Sequence, residues 1–387
     1  MYNFIDFSQG ANFYMNLYCL LLYCTLLVIS LRGNIVGLIT QDSYRERTWI
    51  LAAGLLLFAL TCFVSADFFH YYGNMAMFKN QAYVDPNANM EAFYQRLIYY
   101  VNGDYFLFRL VVWGIGLMLI ILAARQFGAN VYHTLFVVLA GFVLTYSYAR
   151  ATLAIATFSM GAVMICMAVT KKRKLISLIV GVCVVASAIC FHRSLLPMLA
   201  IVLFWILLPW KKKLSKYSLW LFPLFVALFY VVVKVAFEEL LTISNTMEDD
   251  SVALDKVEFY SEQEVAKSNM NGYIRLALQY STFYLPMFIL SRVLSSERVL
   301  QIVDKKVVWL YLITFLIFAF ATSFLFLDID SSVLFYRYLF MSFILLSILI
   351  VYLNDKGMLT TKQYHCMMAC FIIYNLFQFS AVVYSQI

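Results

Sequence analysis

Apolar runs of 17 to 22 residues recur along the whole chain, and the short stretches between them collect most of its charge. A run of that length, wound as a helix, crosses about 30 Å of hydrocarbon. Twelve spans are expected on this pattern, at 13–31, 48–66, 105–123, 130–148, 151–169, 175–191, 194–210, 217–236, 273–291, 307–326, 333–353 and 363–384. The fold class implied is an all-α polytopic membrane protein. Residues 1–387 form a single membrane domain, and the two longest connections, about 67–104 and 237–272, are too short for a separate catalytic domain.

Composition agrees with the pattern. With 64% hydrophobic and 13% charged residues, the chain falls outside the range of soluble domains. Charge adds an orientation. Lysine and arginine are disfavoured in short translocated loops, and the loops after the odd-numbered spans hold 18 of the 28 basic residues, including Lys171–Lys174 and Lys211–Lys213. Those loops are expected on the cytoplasmic side, with the loops about 67–104 and 237–272 outside, where 16 of the 21 acids lie on or near the outer face. Both termini then face outward, and the absence of a basic residue before Arg32 argues against a cleaved signal peptide.

The net charge of +7 reflects this sidedness. No basic, aromatic-interleaved soluble segment is present, so nucleic acid is not an expected partner, whereas a membrane surface suits the cytoplasmic lysine clusters. All eight cysteines sit inside spans, and no disulfide framework is expected. Cys366 and Cys370 lie beside His365 without further ligands, so neither a metal site nor a cofactor is expected. Phosphate loops, zinc-protease pairs and nucleophile elbows are missing from the sequence.

The two outer loops carry structure of their own. Asp67-Phe-Phe-His70-Tyr-Tyr72 follows the second span, and Asn89–Val101 has the spacing of an amphipathic helix, capped by Asn87 or Asn89. In the second loop nine acids stand against Lys256 and Lys267, and short helices are expected at its Phe-Glu-Glu-Leu-Leu start and around Val257–Val265.

Arg150, Arg193, Arg275 and Arg337 occupy span ends that face outward, where positive charge is usually avoided. Snorkelling to lipid phosphate accounts for any one of them. Four at one depth beside a histidine favour an anionic substrate. Arg150 precedes Lys171 by 21 residues and His192 follows Lys174 by 18, so both climb about 27 to 32 Å from one basic turn. Arg150, His192 and Arg193 are therefore expected in one outer patch, with Arg275 and Arg337 at similar depth. Asp67, Asp104 and Asp328 are further candidates for a base or for sugar-hydroxyl contacts, and His70 and Tyr72 for glycan contacts.

Arg150-Ala-Thr-Leu-Ala, then a basic turn, then Phe191-His192-Arg193-Ser194-Leu-Leu-Pro resembles the central hairpin of EpsG-like, Wzy-type exopolysaccharide and O-antigen polymerases. The flanking order is similar too: Asp67 with Tyr71 and Tyr72, Gly103-Asp104-Tyr105 before the third span, and Phe335-Tyr336-Arg337 before the eleventh. The resemblance implies a metal-independent, GT-C-like glycosyltransferase of the bacterial inner membrane with its active site on the extracytoplasmic face. The expected substrates are oligosaccharide repeats on undecaprenyl pyrophosphate, with a flippase and a chain-length regulator as partners. His192 would serve as base, while Arg150, Arg193 and Arg337 stabilise the leaving pyrophosphate and Arg275 binds substrate. A lipid-linked oligosaccharide flippase, an O-antigen ligase and a noncatalytic scaffold are the competing readings.

Overall fold

All regular structure among the described residues of the computed structural model is helical. Those residues are 9–35, 41–61, 75, 92–141, 149–169, 174–192, 195–209, 211–246, 270–326 and 332–384; the side chains at 150, 275 and 337 lie outside the description although their backbones are within it. In chain order the helices are α1 (Gln9–Ile35), α2 (Gln41–Thr61), α3 (Ala92–Tyr100), α4 (Tyr105–Phe127), α5 (Val131–Ala140), α6 (Ala149–Ala168), α7 (Lys174–Ala188) and α8 (Leu196–Leu207). There follow α9 (Lys211–Lys216), α10 (Ser218–Thr246), α11 (Met270–Ser295), α12 (Glu297–Ile302), α13 (Lys305–Ser323), α14 (Ser332–Asp355) and α15 (Thr361–Tyr384). Among the described residues, five stretches are long and apolar enough to cross a membrane: Tyr105–Phe127, Ala151–Ala168, Ser218–Ala236, Lys305–Phe326 and Tyr338–Asp355. Shorter apolar helices fall in five more of the expected spans, among them Leu17–Ser30, Lys174–Ala188 and Leu196–Leu207.

The chain forms two compact units, one of Met1–Leu196 with Ser347–Ile387 and one of Pro197–Leu346. In the first unit α6 packs along α7 and α4, while α1, α2, α5 and α15 pack among themselves. In the second, α10, α11 and α13 surround a polar chain: Tyr311 donates to Ser218 Oγ at 2.6 Å, and the Ser291 hydroxyl lies 2.6 Å from the Tyr311 oxygen. Such buried hydroxyls fix the register of three helices because each would lose its partner if one helix slid.

Three boundaries differ from the sequence reading. The fourth span was expected over 130–148, but α5 ends at Ala140 after ten residues, about 15 Å of rise. Asn130 Oδ1 caps its start by accepting from His133 N at 3.1 Å. Its far end is buried, and the Ala140 carbonyl accepts from Tyr23 Oη at 3.1 Å and from Asn375 Nδ2 at 2.5 Å. Where water is excluded, a helix can stop only if side chains replace the missing backbone donors. The second outer loop was expected to begin at Phe237, yet α10 continues unbroken to Thr246. The Phe-Glu-Glu-Leu-Leu segment prolongs the spanning helix because its residues are good helix formers regardless of their polarity. The helix expected around Val257–Val265 lies outside the described residues. The predicted first-loop helix is present as α3, and the start expected for it at 89–91 lies outside the described residues.

Candidate functional site

The site is built on the α6–α7 hairpin, whose closeness depends on two glycines. A Cβ on Gly161 would lie 2.7 Å from Val185 Cγ2 and 2.8 Å from Val185 N, and one on Gly181 would lie 2.7 Å from Ile165 Cγ1 and 3.0 Å from Ile165 N. Small residues let two helix backbones meet without side chains between them. The contacts pair 161 with 185 and 165 with 181, an antiparallel register that sets residue 154 opposite His192. His192 continues the path of α7, donating its backbone N–H to the Ala188 carbonyl at 3.1 Å. It therefore reaches the Arg150 end of the hairpin about one turn, about 6 Å, closer to the basic turn than Arg150 itself.

A buried cluster gathers other elements around that end. Leu153, one turn into α6 from Arg150, shares it with Tyr105, Phe108 and Val112 of α4, Tyr94 and Ile98 of α3, and Met75. Phe191 joins through an edge-on contact with Phe93, ring centroids 4.8 Å apart. Aromatic pairs of this geometry add to the area they bury. The amphipathic helix of the first loop is thus held against the residue that precedes His192, while its Arg96, Tyr99 and Tyr100 remain exposed.

The hairpin end is recessed. Gly116 of α4 faces Thr152, whose Cγ2 would lie 3.4 Å from a Cβ built there. Gly116 is 11 residues past Tyr105, so Thr152 lies about 17 Å of helix rise inward of the start of α4 and Arg150 about 13 Å inward. The sequence placed these residues at the ends of their spans; in the structure α3 and the first turns of α4 extend beyond them.

Asp104 stands at the rim with a definite local task. Asn102 (φ 51°) and Gly103 (φ 66°) turn the chain between α3 and α4. Asp104 then caps α4, its Oδ1 accepting from Leu107 N at 3.0 Å. The left-handed conformation suits Gly103, and the cap satisfies a helix donor that would otherwise be orphaned. Arg109, one turn deeper, is a charge inside the apolar run of the third expected span. It is among the largest fully buried side chains, 1% exposed, with its guanidinium 5.7 Å from the Tyr105 ring centre. A charge inside an apolar helix is the signal that singles it out.

Other expected site residues are distributed as follows. The backbone of Arg150 opens α6, that of Arg275 lies in the first turns of α11, and that of Arg337 in the first turns of α14. Arg150, His192 and Asp104 belong to the first unit, whereas Arg275 and Arg337 belong to the second. Asp67, His70, Tyr72, Arg193 and Asp328 lie outside the described residues. His133, at the other end of the first unit, has Nδ1 3.2 Å from Asp355 Oδ1.

A chain whose described residues form helices, five of them with stretches long and apolar enough to cross a membrane, belongs to the class of polytopic membrane proteins. Residues 47–387 match the EpsG family, and the chain belongs to that family. It is accordingly a polysaccharide-polymerase-type membrane protein, a glycosyltransferase in the broad sense, acting on lipid-linked substrate at the bilayer. Comparison with curated proteins and with solved structures finds no match.

Proposed function

We propose that the protein is a Wzy-type, GT-C-like polymerase of the bacterial inner membrane. It transfers a growing glycan from undecaprenyl pyrophosphate to a hydroxyl of an incoming lipid-linked repeat on the extracytoplasmic face, without a metal. The observation that carries this reading is the arrangement of His192 within about one turn of Arg150 at a recessed hairpin end, roofed by an aromatic cluster from the first loop.

The acceptor oxygen attacks the anomeric carbon as the bond to the pyrophosphate oxygen breaks. His192 takes the hydroxyl proton, a task suited to an imidazole, whose ring nitrogen can accept one. The pyrophosphate departs with the bonding pair, and its growing charge needs fixed cations. Arg150 and Arg193 supply them beside the base; Arg337 and Arg275 are assigned to pyrophosphate and substrate binding. Guanidinium pairs bidentately with phosphate and keeps its charge at any working pH. Asp67, His70, Tyr72, Asp104 and Asp328 are assigned to glycan contacts. A flippase and a chain-length regulator complete the assembly.

Incubation of the purified protein with a synthetic lipid-pyrophosphate repeat is expected to give a product ladder. His192→Ala and Arg150→Ala are expected to abolish it at wild-type expression; near-wild-type ladders from both would remove the hairpin from the mechanism. The buried Arg109 favours a second reading, transport of the lipid-linked oligosaccharide, because intramembrane charge marks translocation paths. Flipping in vesicles with no ladder from any matched substrate would select it.

A further inference from the structure

The second unit carries a lysine-walled cavity and an apolar groove, both bordering α13. The cavity measures about 440 Å³ and is lined by Lys211, Lys212, Lys213, Lys305 and Trp309, with no acidic residue among the described residues of its wall. Two of the lysines are held in place by the fold. Lys211 donates to the carbonyls of Ile206 at 3.2 Å and Leu208 at 2.5 Å at the end of α8, and its ammonium sits 4.1 Å from the Trp309 ring centre. Lys212 donates to the Leu300 carbonyl at 3.3 Å. Lys213 and Lys305 are exposed.

The groove, about 420 Å³, is walled by Trp220, Phe222, Tyr284, Phe288, Phe315 and Phe318. Trp220 and Phe288 are exposed, at 84% and 50%. Val308 and Trp309 border the cavity and Phe315 and Phe318 border the groove, so both depressions adjoin α13, the groove further along it. Phe315 lies ten residues past Lys305, about 15 Å of rise, which carries a ligand from headgroup depth into hydrocarbon. The polar chain of Ser218, Tyr311 and Ser291 fixes the three helices that form the groove.

We infer that this is a binding site for an anionic phospholipid of the leaflet on the basic-loop side, its phosphate in the lysine cavity and an acyl chain along the α13 groove. Charge complementarity selects the ligand: four lysines, with no acid among the described lining residues, suit a net-negative headgroup and disfavour a zwitterion. Basic recesses between membrane helices hold anionic headgroups for this reason. The inference is independent of the polymerase reading, since the cavity adjoins the basic turns rather than the helix ends that carry Arg150, Arg275 and Arg337.

Native mass spectrometry of the full chain, released from detergent after incubation with phosphatidylglycerol or phosphatidylcholine, tests it. Wild type is expected to retain phosphatidylglycerol at least tenfold over phosphatidylcholine, and raised salt in the incubation is expected to cut that preference severalfold. Lys213→Gln with Lys305→Gln is expected to abolish the preference, while Lys216→Gln, which removes a lysine outside the cavity, leaves it. Equal retention of the two lipids by wild type or a salt-independent preference would overturn the assignment. Because wild type alone can fail these criteria, a poorly folding double variant does not shield it.

Discussion

Asp104 sits where two explanations meet, since an acid at the rim of the proposed glycan site is also the N-cap of α4. Asparagine caps as well as aspartate and can still bond a sugar hydroxyl, so only charge distinguishes the two. Asp104→Asn is expected to keep both the product ladder and the unfolding temperature. Asp104→Ala is expected to lower stability by about 1 kcal/mol, read as a shifted thermal midpoint; loss of elongation in Asp104→Asn would instead make the carboxylate the base. A cap before an apolar run is readable from sequence, but the same residue read as a sugar ligand has the same spacing. In the second unit, Lys216 and Glu297 pair in the open. Their hydrogen bond raises the ammonium pKa and lowers the carboxyl pKa. The pair's contribution is present between the two values, and is lost as pH falls through the lowered carboxyl value or rises through the raised ammonium value. Being exposed, it is small. Glu297→Gln is expected to leave the thermal midpoint near pH 7 almost unchanged and to remove its share of the decline on either side, seen in a series of melts across pH.

At the scale of elements, the hairpin is the part most open to prediction from sequence, because its basic turn and the counts to Arg150 and His192 lie within one stretch of chain. What spacing alone leaves open is how the two helices meet. Gly161 and Gly181 settle that by allowing backbone contact. Gly161→Val would press a branched side chain against Val185 N, which belongs to rigid backbone, and overpacking of this kind costs about 1 to 3 kcal/mol. The expected result is a lowered thermal midpoint together with reduced elongation, as the register that sets His192 against residue 154 is disturbed. The end of α5 was not legible for the opposite reason. Apolar residues run on past Ala140, and the groups that permit termination come from Tyr23 and Asn375, 117 and 235 positions away. Asn375→Leu would leave the Leu139 and Ala140 carbonyls without that donor, at a cost of about 1 to 3 kcal/mol. A thermal midpoint equal to wild type in detergent would show that the helix end finds another partner.

For the molecule as a whole, everything proposed about chemistry depends on which side of the membrane the recessed hairpin end faces, and charge is what orients it. The basic turn at 171–174 joins α6 to α7, and Cys190 lies 16 residues beyond Lys174, about 24 Å of rise toward the other side. Arginines at that end run against the usual sidedness of positive charge, which is sensible only if a strong anion meets them there. Cys190 is an exposed free thiol two residues from His192, so it reports the orientation of the site almost directly. In a variant retaining Cys190 as the sole cysteine, a membrane-impermeant maleimide added to intact cells is expected to label it. A companion variant with Lys172→Cys as the sole cysteine is expected to react only after the cells are opened. The reverse pattern would put His192 and Arg150 in contact with the cytoplasm, where repeat units not yet flipped would be the available lipid-linked substrate. Polymerisation on the outer face would then be ruled out even if the purified protein still produced a ladder, because the assay in detergent has no sides and the labelling does.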